Sequence, residues 1–505
     1  MKKIFKQKIF IILALFLVIL LTHNYVSKNM LSKNDDKFFN VIKNVIPEDG
    51  KTFIKKNIFH ISWLKFQIKD KEATILDHEK DLKIRYEQIG NLQDLLLKKG
   101  IDFKKNSIDL KKSNNNKTYE LTTLLSEDLI VAKHMGAKGT SYIDINGDNF
   151  HLVTATGRFF YTNLDDLDEN NFSMKHVETN IKNFINSPRF LTFSKAGIKD
   201  LLVKENKIFV SYTRELKKDC FVTGLLVATL NDQKLVFDNA YDPKNCVNYI
   251  NSYGEFNFHH SGGRIFYYDD ANVILTSGEY RFRPLAQKID SELGKILLIN
   301  HKNRSSKVLS LGHRNPQGLF YEKNNDVIVS TEHGPMNGDE LNIVKNAINN
   351  STDTPKNYGW PIASYGEHYG LNPKNKEVLM KTKKYISKYE LAPLKKSHKK
   401  FGFIEPMKYW VPGIAPSQIV KVSESFEDIK ESHNSYYFGS MGKNIDEGDL
   451  SMHNIVFDIN YNEIISEDII PLGERIRDVV YHAESGRIVM FMETTGQIGL
   501  LKRIN

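Results

Sequence analysis

From about Gly136 to its end the chain repeats one texture, short apolar runs broken by turn-forming residues, with almost no helical periodicity. Asn146-Gly147 and Thr156-Gly157 read as successive tight turns between strands. Further strand candidates cover 200–212, 264–277, 294–299, 318–330, 419–422, 435–440, 454–460 and 476–492. So many short strands call for an all-β architecture that closes on itself or repeats radially. A β-propeller satisfies this best, because it protects sheet edges and leaves loops at one end for a site. A large sandwich is the alternative.

The densest polar stretch lies at 312–360. Two clusters, 312–318 and 332–340, carry Arg, Asn, His, Asp and Glu and flank the apolar run 327–329. Such loops at both ends of a strand are how a rigid sheet presents a site on its rim. Ordinary surface turns use the same Gly, Pro, Asn and Asp, so this cluster alone leaves both readings open.

At 505 residues the chain suits one large β domain with an appendage. The whole net charge of +9 falls within residues 1–134, which speaks against a nucleic-acid partner. Residues 1–26 place Lys2, Lys3, Lys6 and Lys8 before an unbroken apolar run from Ile9 to Leu21. No small-x-small cleavage site follows, so we expect a signal anchor, a transmembrane helix with the remainder facing the periplasm or cell exterior. Residues 27–134, rich in Lys and Asn, are expected to form a mainly helical stalk. Within it Ile75, Leu82, Tyr86, Ile89, Leu92 and Leu96 recur at helical spacing, and 111–117 resembles an exposed linker. The propeller is expected over 135–505. Cys220 and Cys246, the two cysteines of an exported chain, are expected to pair across a hairpin, with two free thiols as the alternative.

Several ordered motifs then make a family recognisable. GHRNPQG at 312–318, EHGPMNGDELN at 332–342 and NYGWP at 357–361 resemble those of the soluble PQQ-dependent glucose/sorbosone (aldose sugar) dehydrogenases. HSGGR at 260–264, Ala286-Gln287 with GKIL at 294–297, PGIAPS at 412–417 and RIRDV at 475–479 are similar to further motifs of that family. The resemblance covers roughly 140–505 and implies a six-bladed propeller that oxidises an aldose at its anomeric carbon. The sugar's hydride would pass to PQQ and the electrons to an external acceptor.

That reaction needs a base, and His260 stands at the family's catalytic position. Asp339 and Glu279 match the carboxylates behind it, with Glu279 standing where the family commonly has Asp. Arg314 and Asn315 match residues that reach the quinone oxygens, Arg314 also steadying developing charge. Arg475 and Arg477 would grip the cofactor's carboxylates, and Tyr369 matches a further contact. Calcium is implied twice, at the carbonyls of Gly334 and Pro335 and at Glu340 with Tyr358. The chain departs from the family at Lys195, where a glutamine is usual and a carboxylate partner could result, and at Gly413, which supplies no hydroxyl. The family's SLK lysine is displaced to Lys443. Those departures keep two other classes open: a non-catalytic propeller that binds a glycan or protein, and a calcium-dependent propeller hydrolase. Sugar identity and oligomeric state are not legible.

Overall fold

The computed structural model describes Ile84 and residues 100–504, apart from 128, 130–139, 188, 191–196, 350–353, 370–391 and 428–432. The chain divides into two units, Met1–Leu82 and Lys83–Asn505. The first unit, with the expected anchor and most of the expected stalk, lies outside the described residues. Among the described residues no helix is long and apolar enough to cross a membrane.

The second unit is a ring of six four-stranded antiparallel blades. Their inner strands are Ser141–Asn146, Ile198–Lys204, Gly262–Tyr267, Pro316–Glu322, Pro416–Lys421 and Ile476–His482. Each inner strand packs beside the next, and the sixth returns to the first, so the ring is closed. Because each blade is sandwiched between two others, its strands are buried on both faces and read as continuous apolar runs. Arg487–Met492 is buried at every position. Between the sixth and first blades Val489, Phe491 and Ile498 meet Ile143, Phe150, Leu152 and Phe160. Burial of such side chains stabilises by roughly 1.5–3 kcal/mol each.

Closure corrects the expected stalk boundary. Ile101–Lys112 and Thr118–Leu125 are propeller strands, not part of a helical stalk ending at 134. Thr118–Leu125 is the fourth strand of the sixth blade, pairing Tyr119 with Arg503 and Leu124 with Ile498. Ile101–Lys112 pairs with it and with Asn171–Thr179, the outer strand of the first blade. The expected linker is the hairpin turn between them, with the Asn116 N–H donating to the Ser113 carbonyl at 3.0 Å. The apolar set here is short and the partners lie far along the chain, so local periodicity did not reveal it. Likewise 200–212, 264–277, 318–330 and 476–492 are hairpins rather than single strands, and Glu205 and Asp326 take left-handed conformations at two of the turns.

Cys220 and Cys246 are bridged, with Cα atoms 5.5 Å apart. The bridge joins the strand Cys220–Thr229 to Val247–Asn248, which pairs back along it. The hairpin expected between the cysteines is only partial: Asp238–Asn239 pairs with this strand, while Lys234–Leu235 joins the first blade. Closing a 26-residue separation stabilises the fold by about 3 kcal/mol.

Arg264 sits where the inner strands converge, 2% exposed. Its guanidinium donates to Asp200 at 2.8 Å, Asp478 at 2.7 Å and the carbonyls of Gln317 and Arg477, both at 2.7 Å. One side chain thus ties the second, fourth and sixth blades to its own, the third. Burial pushes the Asp200 and Asp478 carboxyls upward and the guanidinium opposes it.

Candidate active site

His260 lies just before the inner strand of the third blade, and glycines let it sit there. A Cβ on Gly278 would come within 2.2 Å of the His260 carbonyl oxygen. Gly262 takes φ +60°, and a Cβ there would meet Gly278 N at 2.9 Å. The chain then leaves the strand Asn272–Ser277 through Tyr280 and Arg281, both left-handed and neither a glycine. That conformation is held by the Tyr280 N–H donating to the His260 carbonyl at 2.9 Å. It directs the Glu279 carboxylate at His260, Oε1 lying 2.7 Å from Nδ1.

Arg314, buried between the third and fourth blades, approaches from the other side. Its Nη2 lies 3.1 Å from His260 Nε2, and its Nη1 donates to the His333 carbonyl at 2.8 Å. A guanidinium only donates, so Nε2 accepts and the ring hydrogen sits on Nδ1, directed at Glu279. His260 is therefore neutral, with its lone pair facing Arg314. Burial holds its pKa well below the ordinary value, and Arg314 adds to that. Burial also raises Glu279 to about 7, against the pull of Arg314 and Arg283. Glu279 Oε2 is buried with no hydrogen-bond partner among the described residues.

Beside this trio a cavity opens, lined by Lys199, His259, His333, Arg475 and Arg477 among others. His333 links its two sides: Arg314 bonds its carbonyl, while burial and the Arg314, Arg477 and Arg475 charges hold its ring down at about 3. Arg475 and Arg477 do share a direction, but they meet a carboxylate of the chain itself. Glu493 pairs with Arg477 Nε and lies 3.6 Å from Arg475 Nη2, while Arg475 also donates to the Met441 carbonyl. Tyr369 is half exposed, its ring 5.9 Å from the Arg314 guanidinium and 5.7 Å from that of Arg281, and Trp360 lies 5.4 Å from Arg314. Asn315 is buried, its side-chain oxygen accepting from Gly262 N and Gln317 Nε2, both at 3.0 Å. It therefore fastens the His260 turn.

Other expectations need correction. Asp339 does not back His260. Its oxygens accept from Gly334 N at 2.9 Å and Ala415 N at 2.7 Å, and burial raises it to about 6. The short acidic side chain is consumed by the amides of its own loop and of Ala415, leaving Glu279 as the carboxylate on the imidazole. Lys195 lies outside the described residues. Lys199, in the same motif, was passed over. It is buried in the cavity wall and donates to the Phe258 carbonyl at 3.2 Å. Arg281, Arg283 and Glu493 were also missed, and no local motif marked them. Lys443 is exposed on its loop.

The two expected calcium positions differ. Gly334 and Pro335 are buried on a loop pinned by Asp339, and among the described residues no hydrogen bond ends on either carbonyl. Two adjacent, uncommitted hard oxygens suit calcium. Glu340 and Tyr358 do not: His398 Nε2 lies 3.4 Å from Glu340 Oε1, and His398 Nδ1 donates to the Tyr358 carbonyl at 2.9 Å. Asn342 Nδ2 stands 3.3 Å from the other Glu340 oxygen. Among the described residues no group of three or more His, Cys, Asp or Glu could hold a metal ion.

The chain is similar to several known proteins. The uncharacterized protein slr1608 of Synechocystis sp. (strain ATCC 27184 / PCC 6803 / Kazusa) is 26% identical over 262 residues, 47% of this chain and 55% of that one. Aldose sugar dehydrogenase YliI of Escherichia coli (strain K12) is 25% identical over 255 residues, 47% and 59% of the two chains. Quinoprotein glucose dehydrogenase B of Acinetobacter calcoaceticus is 30% identical over 142 residues, 22% and 28%. The first two matches span little more than half the length of those relatives. A crystal structure of glucose dehydrogenase shares the fold with a TM-score of 0.53 at 20% identity, over 72% of this chain and 96% of that one. Residues 168–502 match the glucose/sorbosone dehydrogenase model, and with the propeller and the His260–Glu279–Arg314 cluster already in place, the chain belongs to that family of oxidoreductases.

Proposed function

We propose that this protein is a PQQ- and calcium-dependent sugar dehydrogenase that oxidises an aldose at the anomeric carbon on the outer side of a membrane. The observation that carries the proposal is the His260 imidazole, backed by Glu279 at Nδ1 and met by Arg314 at Nε2, with neighbouring Ser261 and His259 lining a cation-rich cavity. Family membership and a relative named as a quinoprotein support the same reading. The bound quinone would accept the hydride from the sugar.

His260 Nε2 takes the proton of the anomeric hydroxyl once substrate displaces the Arg314 contact. Glu279 accepts the Nδ1 hydrogen, fixes the tautomer and balances the charge the ring acquires. Arg314 then lies free to stabilise negative charge beside the reacting carbon. Arg475, Arg477 and Lys199 would hold the acidic cofactor, with Tyr369 at the mouth and Asn315 keeping the His260 turn in register. For the guanidinium pair to do so, Glu493 shares its two partners with the incoming carboxylates. The Gly334 and Pro335 carbonyls would hold the calcium beside the cofactor.

The Cys220–Cys246 bridge supports a location outside the reducing cytoplasm. The segment 1–26 would anchor the chain, and an external acceptor would take the electrons. The test is to load the purified full chain with PQQ and calcium and follow dye reduction with a panel of aldoses. We expect turnover that requires both additions and is lost in His260→Ala. A chain that takes up no PQQ, yet binds glycans or protein, would replace the enzyme with a binding propeller.

A further inference from the structure

His398 is 1% exposed and lies just before the short turn Lys399–Phe401. It reaches 40 residues back to Tyr358, whose carbonyl accepts from Nδ1, and its opposite nitrogen faces Glu340 on the strand Asp339–Lys345. Tyr365 stacks on the ring at 5.6 Å between centroids, with planes 13° apart. The other carboxylate nearby, Glu405, is committed to the Tyr365 hydroxyl and to Lys399 N. The imidazole therefore occupies the gap between a carboxylate and a carbonyl, the two hard oxygens that a cation would otherwise bring together. Calcium requires six to eight oxygens at roughly 2.3–2.6 Å, and a ring in contact with both Glu340 and the Tyr358 carbonyl takes up the space between them.

We propose that His398 replaces a structural cation at this corner of the propeller, cross-linking Glu340 to the Tyr358 carbonyl and closing the position to calcium. The consequence is a fold whose fourth blade is fastened by a side chain rather than by a dissociable ion. This stands apart from the cofactor-linked calcium at Gly334 and Pro335, so its failure would leave the dehydrogenase proposal untouched.

The experiment uses the full chain without cofactor, titrated with calcium chloride and followed by equilibrium dialysis and thermal melting. We expect no calcium uptake that depends on Glu340, and a wild-type melting temperature that Glu340-directed calcium does not raise. His398→Ala should melt lower, recover part of the loss in millimolar calcium, and lose that recovery in the Glu340→Gln, His398→Ala double variant. Calcium uptake by the wild-type chain that vanishes in Glu340→Gln would overturn the proposal. So would a His398→Ala chain that melts like wild type, or one whose loss calcium leaves untouched.

Discussion

Two histidine–glutamate pairs occupy equivalent places in neighbouring blades. His260 and Glu279 flank the inner hairpin of the third blade, and His313 and Glu332 that of the fourth, each 19 residues apart. Their contacts, 2.7 Å and 2.8 Å, are almost the same. What differs is the far nitrogen. His313 Nε2 meets the Ser310 hydroxyl at 2.8 Å in the sealed core, with Tyr358 stacked on the ring at 4.9 Å. His260 Nε2 meets the Arg314 guanidinium at 3.1 Å, next to the cavity-lining Ser261 and His259. The carboxylate–imidazole unit is thus a repeated device for closing a blade hairpin. In the proposed mechanism, access to the second nitrogen is what lets one copy act as the base.

The sharpest way to break that comparison is to remove each imidazole. His260→Ala should lower kcat by about 10²–10⁴, with some loss of stability because buried Glu279 loses its imidazole partner. His313→Ala should lower stability without the kinetic loss. It removes one partner of Glu332, which keeps the Arg314 and Asn315 amides, at a cost of about 1–3 kcal/mol read from denaturant unfolding, while the folded fraction turns over as wild type. Equal kinetic losses in both variants would end the distinction.

A smaller effect tests the carboxylate. Glu279→Gln removes a charge-assisted hydrogen bond of about 1.5–3 kcal/mol, so kcat should fall roughly 10–100-fold. With Glu279 raised to about 7, wild-type activity should decline as pH drops through that value, and this limb should be absent from the Gln variant. A limb that persists unchanged would assign it to another group.

The smallest effect concerns buried histidines away from the cavity. Burial depresses His151 and His453 to about 4. Their unfolded forms take up protons first, so their contribution is fully present above about pH 6.5 and is lost as pH falls toward 4. Each costs at most about 1.4 kcal/mol per pH unit. Unfolding midpoints at pH 7 and pH 5 measure this, and a midpoint that rises on acidification would reverse the sign.

Legibility in the sequence followed the range of the interaction. Turn pairs and apolar runs spaced a few residues apart announced an all-β closed fold, and contiguous motifs such as HSGGR and GHRNPQG located His260, Arg314 and Asn315. Glu279 is matched by the same resemblance, and in the fold its hairpin brings it back to His260, 19 residues away. Asp339 could not be told apart from it, since both are carboxylates in matching motifs and only the backbone amides of Gly334 and Ala415 decide which one is free.

The rest was settled by pairings between distant segments. The amino-acid sequence by itself determined the β architecture through local composition and spacing, while the family motifs it resembles marked the imidazole and two candidate carboxylates. Tertiary structure alone decided that Thr118–Leu125 completes the sixth blade, that Glu493 meets both arginines, and that His398 fills the gap beside Glu340. Ring closure brings Thr118–Leu125 against Gln497–Arg503, and a neighbour created by closure leaves no periodic mark on either strand.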